Sequence, residues 1–277
     1  MPPPSVRSDS LPDPGAIDTG AEAAARYDAL HADRSADAEF YAREAAGAGG
    51  PVLEVGCGTA RVALAVAAAG ARIVGLERSA PHLAVAAARR AESPEAVRSR
   101  LALVRGDMRA YAFRRPFERV LMPFRVFQSM LTVPDQLAAL AAARAALAPG
   151  GRLVLDLFDP HLDVLAEAAE GPAALAETGR GYRDRRGEWR EKVAARYDLE
   201  SQIVDLTYLY ERVGEAGAVV ERSFERLRVR YFTRWEFEHL LARAGYEVEA
   251  LYGGWDGRPL DTQGEDMVWI ARKKDGG

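Results

Sequence analysis

Val52-Leu53-Glu54-Val55-Gly56-Cys57-Gly58-Thr59-Ala60-Arg61 is the stretch of sequence that decides the fold. The apolar residues at its start predict a short buried strand, the glycines a tight turn, and the alanine-rich residues beyond them a helix. Glycine lets a ligand approach the backbone closely, and the first amides of a helix are free donors. Glu77 follows about 20 residues later, where such sites carry an acid for a ribose hydroxyl. The stretch therefore predicts a nucleotide-binding turn between a strand and a helix.

The residues around the glycines distinguish between classes of nucleotide. A dinucleotide fingerprint, G-x-G-x-x-G, has its third glycine where Arg61 stands here, and a bulky side chain at that position argues against NAD or FAD. Glu54 places a carboxylate beside the turn. That charge is wrong for a pyrophosphate and suits a ligand with an ammonium or a sulfonium group. S-adenosylmethionine carries both.

At these residues the chain resembles the class I S-adenosylmethionine-dependent methyltransferases, whose first motif is (Asp/Glu)-x-Gly-x-Gly-x-Gly. Glu54, Gly56 and Gly58 match the motif, and Ala60 replaces its last glycine. The resemblance implies an α/β fold: a Rossmann-like, seven-stranded, mostly parallel sheet with helices on both faces. It also implies an N-terminal helical lid and an antiparallel β insertion after the fifth strand. In the small-molecule branch of the family, which the chain resembles most, this insertion covers the active site.

Composition excludes several other functions. The 277 residues are 48% hydrophobic and carry a net charge of −4 without a basic block, which disfavours nucleic-acid binding. Cys57 is the only cysteine, which fits a reducing compartment. No apolar segment is long enough for a signal peptide or a membrane span, and no His/Cys/Asp cluster has the spacing of metal ligands. We therefore expect a cytoplasmic protein without metal.

Strands and helices alternate along the first part of the chain, which predicts a parallel sheet. The predicted strands are 52–55, 72–76, 101–105, 118–122 and 152–158, and the helices are 59–69, 80–92 and 134–148. Pro149-Gly150-Gly151 predicts a stop between the last helix and the last strand. Two helical pieces within 21–47 precede this region.

The alternation of predicted strands and helices ends after Pro160. Period-two alternation over 188–231 predicts an antiparallel meander of about three strands, and Thr233 to Glu236 form a predicted capping box for a helix. Strands at 247–252 and 266–273 follow. We expect four regions: a disordered tail at 1–20, a cofactor-binding core with its lid at 21–160, an inserted cap at 161–232, and the completion of the core at 233–277.

The resemblance assigns most site residues to the cofactor. Glu54 and the backbone of the glycine turn are expected at its methionine moiety, and Glu77 at both ribose hydroxyls. Further contacts are expected from the lid, from the loops after the third and fourth strands, and from two arginines. The full set is Tyr41, Glu54, Gly56, Cys57, Gly58, Thr59, Arg61, Glu77, Arg78, Asp107, Met108, Pro123 and Phe124, with Tyr27 as a second lid candidate. Asp107 is assigned to the adenine amino group, Met108 to the adenine ring and Arg61 to the cofactor carboxylate.

The acceptor side is less determined by sequence. The loop after the fourth strand is expected to face the methyl group, with Arg125 and Phe127 as substrate contacts. It lacks the Asn/Asp-Pro-Pro-Tyr sequence of many amino-methylating enzymes, which disfavours a nucleic-acid base or a glutamine as acceptor. His161 is the candidate general base, and a histidine at a loop or helix start is the alternative interpretation.

The resemblance implies methyl transfer to an N or O atom of a small molecule, with S-adenosylhomocysteine as product and a possible homodimer through the insertion. Two alternatives stay open at this point: a non-catalytic S-adenosylmethionine-binding protein, and an aminopropyltransferase-like enzyme on the same fold.

Overall fold

Two β-sheets form the framework of the computed structural model, which describes residues 20–31, 34–158, 160–169, 171, 175–214, 217–261 and 266–274. The strands are β1 (Val52–Val55), β2 (Ile73–Glu77), β3 (Leu101–Arg105), β4 (Phe117–Met122), β5 (Leu147–Phe158), β6 (Ala176–Asp184), β7 (Gly187–Asp198), β8 (Ile203–Val213), β9 (Val219–Arg230), β10 (Tyr246–Tyr252) and β11 (Asp266–Lys273). The helices are α1 (Ala21–Leu30), α2 (Ala36–Ala46), α3 (Arg61–Ala68), α4 (Ala80–Glu92), α5 (Glu95–Arg98), α6 (Val133–Ala146), α7 (Leu162–Ala168) and α8 (Arg234–Arg243), with a 3₁₀ turn at Val126–Ser129. Apart from Gly20, the predicted tail lies outside the described residues.

The larger sheet has seven strands in the order β10-β11-β5-β4-β1-β2-β3. Strands β1 to β5 pair in parallel, and β11 runs antiparallel to both β5 and β10. The expected Rossmann-like, mostly parallel sheet is therefore confirmed. Its chain order reverses direction between β1 and β4, and ligands of open α/β sheets bind beyond the carboxyl ends of the strands at such a point.

Helices cover both faces of this sheet, because the buried side chains of its strands alternate between two apolar clusters. Leu53 and Val55 pack with residues of α6 and α8 in one cluster. Val52 and Leu121 pack with residues of α2 and α3 in the other. No helix of the described ranges has the length and apolar content needed to cross a bilayer.

The smaller sheet is the insertion between β5 and α8, and its order is β6-β7-β8-β9, all antiparallel. The expected meander of about three strands over 188–231 is confirmed as β7, β8 and β9, and the sheet has a fourth strand before them. The strand that was missed, β6, contains Gly179 and Gly181, and glycine weakens a strand prediction. A side chain at Gly181 would overlap the Trp189 carbonyl, so the glycine lets β6 approach β7 closely. The division of the chain into tail, core, cap and completion stays a prediction.

Two local predictions were wrong. Helix α6 ends at Ala146 and β5 begins at Leu147, so Pro149 and the glycines after it lie inside the strand, where the pairing with β4 shifts register. Thr233 does precede α8, but its side chain makes no capping bond. Glu236 instead accepts hydrogen bonds from Gln202 and Arg230, which connects α8 to the cap.

Candidate functional site

The glycine turn after β1 is held against β2 by backbone hydrogen bonds. The amides of Gly56 and Cys57 donate to the Leu76 carbonyl at 2.8 and 3.0 Å. Gly56 has φ +73°, and a side chain there would overlap Val126. Ala60 also has a left-handed backbone, with φ +64°, which costs an alanine roughly 1–2 kcal/mol. Ala60 therefore holds a backbone conformation that favours glycine, the residue of the motif at this position.

Glu54 is a buried carboxylate beside this turn. Its side chain is 2% exposed, and its Oε2 atom has no hydrogen-bond partner among the described residues. Burial raises the pKa of Glu54 to about 8; the Arg61 guanidinium opposes this rise, and the carboxylates of Asp37 and Glu77 add to it. A buried, unpartnered carboxylate oxygen fits a cationic ligand. The donor set therefore suits the ammonium or sulfonium of S-adenosylmethionine.

Glu77 connects the loops that follow β1 and β2. Its Oε2 accepts a hydrogen bond from the Gly58 amide at 3.0 Å, and its Oε1 accepts one from the Ser79 amide at 2.7 Å. Each carboxylate oxygen has a second lone pair. The geometry thus places Glu77 at the turn with acceptor capacity left, while its role at the ribose stays a prediction.

Asp107 lies beyond β3 and is paired with Arg109. The Arg109 side chain donates to both carboxylate oxygens, at 2.7 and 3.0 Å, and lowers the pKa of Asp107 to about 2. The charge of the exposed Arg78 lowers this pKa further. Met108 packs on the edge of the core. The adenine contacts of Asp107 and Met108 and the cofactor contact of Arg78 stay predictions.

Ion pairs tie the two N-terminal helices to the turn. The Arg61 guanidinium donates to both oxygens of the fully buried Asp37, at 2.8 and 2.5 Å, and to the Arg34 carbonyl at 2.9 Å. The Thr59 hydroxyl donates to Asp28 at 2.5 Å, and Asp28 also pairs with a guanidinium of α4. In this structure Arg61 therefore fixes α2 to α3, and its assignment to the cofactor carboxylate stays a prediction.

Asp156, near the end of β5, was missed by the sequence analysis. Its buried carboxylate accepts three hydrogen bonds: from the Tyr41 hydroxyl at 2.5 Å, the Phe124 amide at 2.8 Å and the Arg125 amide at 3.0 Å. Phe124 and Arg125 have φ of +58° and +61°, a conformation that only a strong local restraint maintains in such residues. Burial raises the pKa of Asp156 to about 6. The loop after β4 is thus shaped by one carboxylate and reaches the lid through Tyr41. A single acid in the apolar run of β5 was the available signal.

The half-buried ring of Phe124 is where this loop meets the lid. It lies 5.7 Å from the ring of Tyr27 and 4.9 Å from that of His31, measured between centroids. The guanidiniums of Arg34 and Arg61 lie 5.0 and 5.7 Å from the same ring. The predicted pair Tyr27 and Phe124 is therefore brought together at the carboxyl edge of the sheet.

His31, which sequence reasoning left without a role, has a fixed tautomer. Its Nδ1 lies 2.7 Å from the Tyr27 carbonyl, which only accepts, and its Nε2 lies 3.0 Å from an Arg180 nitrogen, which only donates. The proton is therefore on Nδ1. Burial lowers the pKa of His31 to about 4, so the ring is neutral near pH 7.

The remaining predicted residues lie in other surroundings. Phe127 is fully buried between Phe232 and Phe237, which places it in the core. Arg125 donates twice to Asp266, at 3.1 and 2.6 Å. Pro123 is buried, and its carbonyl accepts a long hydrogen bond of 3.4 Å within the loop.

Cys57 is buried beneath the turn against Gly75. His161 immediately precedes α7 and is its N-cap residue. The roles assigned to these residues stay predictions. Within the described ranges no three His, Cys, Asp or Glu side chains are grouped so as to hold a metal ion.

Comparisons with known proteins agree with this geometry. Residues 52–151 match the methyltransferase domain family. A cypemycin N-terminal methyltransferase from a Streptomyces species is 26% identical, over 82% of this chain and 84% of that protein. A dTDP-3-amino-3,6-dideoxy-alpha-D-glucopyranose N,N-dimethyltransferase from Streptomyces fradiae is 27% identical, over 88% of this chain and 91% of that protein.

Among solved structures, the glycopeptide N-methyltransferase MtfA complexed with S-adenosylmethionine superposes with a TM-score of 0.57. It is 25% identical, and the match covers 89% of this chain and 91% of that chain. The matched domain includes β1, the glycine turn and Glu77, the elements whose geometry fits an adenosyl cofactor. The chain is therefore similar to S-adenosylmethionine-dependent methyltransferases over most of its length, and its match to the methyltransferase domain family lies in residues 52–151.

Proposed function

We propose that this chain transfers a methyl group from S-adenosylmethionine to an N or O atom of a small molecule, and that nitrogen is the acceptor atom. The observation that carries the proposal is the buried Oε2 of Glu54, which lacks a hydrogen-bond partner beside a glycine turn. The three relatives described above support nitrogen, since each is named an N-methyltransferase.

The residues that would hold the cofactor lie in β1, in the turn that follows it and at the end of β2. Glu54 offers a carboxylate to its cationic end, and Gly56 leaves the backbone accessible because no side chain fits there. Glu77 offers acceptor atoms next to the turn. When bound, S-adenosylmethionine would supply an electrophilic methyl group, whose bond to sulfur breaks as the acceptor atom bonds to the methyl carbon.

The rest of the mechanism consists of positioning and of excluding water. Asp156 holds the amides of Phe124 and Arg125, so the loop after β4 has one shape when an acceptor arrives. The rings of Phe124, Tyr27 and His31 pack against one another at the edge of the site. This aromatic wall would keep water away from the reacting atoms.

The test is a methylation assay with purified protein, S-adenosylmethionine and paired acceptors that differ only in an amino or a hydroxyl group. Mass spectrometry of the acceptor identifies the methylated atom, and the formation of S-adenosylhomocysteine gives the rate. We expect methylation of the amine member of a pair. Binding of the cofactor without turnover on any acceptor would favour a non-catalytic S-adenosylmethionine-binding protein. Transfer of an aminopropyl group would favour an aminopropyltransferase-like enzyme.

Two further sequence predictions belong to this proposal. A cytoplasmic location suits a chain whose single cysteine, Cys57, is a buried free thiol. A homodimer through the four-stranded cap stays a prediction, which light scattering of the purified protein tests.

A further inference from the structure

The lid helix α1 and the inner face of the cap sheet meet through two arginines. Arg26 of α1 is 3% exposed, lies 4.4 Å above the ring of Tyr210 and donates to Glu225 at 2.6 Å. Arg180 of β6 donates to Nε2 of His31 at 3.0 Å and to the Leu30 carbonyl at 3.4 Å. A charged side chain of the cap, Arg180, therefore reaches His31, the lid residue that contacts Phe124.

Glu191, on β7, is the buried acid of this face. It is directly opposite Tyr210 in the pairing of β7 with β8, so both side chains lie on one face of the sheet. Glu191 is 3% exposed, and its Oε1 has no hydrogen-bond partner among the described residues. The Arg180 guanidinium is 3.7 Å away, which is within ion-pair distance but too far for a hydrogen bond. A buried carboxylate oxygen without a donor is costly and calls for a ligand that supplies one.

A chain of contacts joins this acid to the loop after β4. Arg180, the ion-pair partner of Glu191, contacts His31, whose ring is 4.9 Å from that of Phe124. The unpartnered oxygen is thus connected, through Arg180 and His31, to the edge at which we place methyl transfer.

We infer that Glu191 receives the amino group of the acceptor and takes its proton, and that the acceptor is a small molecule with a protonated amine. The inference rests on the proposed function and deepens it. An ammonium supplies the hydrogen-bond donors that the Glu191 oxygen lacks, and the stacked rings of Tyr208 and Tyr210 attract a cation. In the proton transfer, an N–H bond of the ammonium breaks, the proton bonds to Oε1, and the electron pair left on nitrogen becomes the nucleophile.

The neighbouring Arg180 does not prevent an ammonium from binding to Glu191. Arg180 is 43% exposed and makes no hydrogen bond to Glu191. An ammonium can therefore take its place beside the carboxylate without leaving a cation buried. Arg26 stays paired with Glu225.

The experiment uses two amine probes, dTDP-3-amino-3,6-dideoxyglucose and alanyl-alanine amide, each with its N-acetylated counterpart. Calorimetry measures their binding to the full chain saturated with S-adenosylhomocysteine, and initial rates with S-adenosylmethionine are measured as a function of pH. We expect at least one free amine to bind and its acetylated counterpart not to bind. Binding of S-adenosylhomocysteine without binding of either amine overturns the inferred site.

Glu191→Gln is the decisive variant. It should lower kcat/KM for the amine about 100-fold at neutral pH and leave the Kd of S-adenosylhomocysteine unchanged. Its rate should then rise about tenfold per pH unit, because the solvent must now deprotonate the amine. Glu191→Asp, which keeps the carboxylate, should react more slowly but keep the wild-type pH profile. This variant tests the inference if Glu191→Gln fails to fold.

Glu211→Gln is the matched control. Glu211 is also buried, on the opposite face of the same sheet, where it pairs with Lys192 and Arg222. This variant should leave the rate and the pH profile unchanged. An amine that is methylated by Glu191→Gln with the wild-type rate and pH profile overturns the inference while the proposed function stands. Absence of methylation on amine and hydroxyl acceptors alike, despite cofactor binding, would instead refute the proposed function.

Discussion

Binding of S-adenosylhomocysteine should release protons from this protein, because the ligand brings an ammonium to a carboxylate that burial keeps protonated. The pKa of Glu54 is raised to about 8, so about 0.9 of a proton is bound there at about pH 7. A cation within ion-pair distance lowers such a pKa by about 1–3 units, so the carboxylate releases between about 0.4 and 0.9 of a proton. The ligand amine, with an α-amino pKa of roughly 7.7–8.0, takes up only about 0.1–0.2 of a proton in return.

The release is measured by calorimetric titration in buffers of different ionisation enthalpy, where the slope of the observed enthalpy gives the number of protons. Since protons leave on binding, the affinity must rise with pH below about 8, by a few-fold per pH unit. Glu54→Gln should abolish the release, and Glu77→Gln, which removes the neighbouring carboxylate, should retain it. Tight binding by the wild type with a release below about 0.1 proton would refute the reasoning.

Three further predictions concern the loops that shape the site, each checked by urea unfolding. Gly56→Ala should lower the free energy of unfolding by about 2–4 kcal/mol, because the new side chain overlaps Val126 and the backbone has a positive φ. Adding Val126→Ala should restore part of this loss. No recovery in the double variant would contradict the overlap with Val126. Asp156→Asn should lower the free energy of unfolding by about 2–4 kcal/mol, because it disturbs three hydrogen bonds. Tyr41→Phe should lower it by about 1–2 kcal/mol, because it removes one of the three. Equal losses in the two variants would argue against a carboxylate shared by all three donors. Asp37→Asn should lower the free energy of unfolding by about 3–5 kcal/mol, because it leaves the Arg61 guanidinium, which is nine-tenths buried, without its charged partner. A loss below about 1 kcal/mol would show that the pair is not buried in solution.

The elements that the sequence predicted are those whose signals are local. The strand–turn–helix at Val52 to Arg61 depends on a short apolar run and on glycines at positions that need them, and both can be seen within ten residues. The alternation of strands and helices up to β5 is similarly local. Strand β6 was missed because Gly179 and Gly181 interrupt its pattern, and what stabilises it is the close approach to Trp189, which only the fold brings about.

The site was predicted less completely because its decisive contacts join distant parts of the chain. Tyr41 and Asp156 are 115 residues apart, and His31 and Arg180 are 149 residues apart. No periodicity or spacing relates such pairs. Glu54 and Glu77 were found because the glycine motif lies between them, whereas Glu191 looks in the sequence like an ordinary charged residue of a half-exposed strand. Its burial follows only from the lid that packs on the cap.

The measurement that tests the central claim most directly is a crystal structure of the protein with S-adenosylhomocysteine bound. We predict that the amino nitrogen of the ligand lies within hydrogen-bond distance, about 2.7–3.2 Å, of the Oε2 atom of Glu54, and that the adenosyl group lies along the loops after β1 and β2. A ligand bound elsewhere, or bound at the turn with Glu54 still unpartnered, would contradict the account.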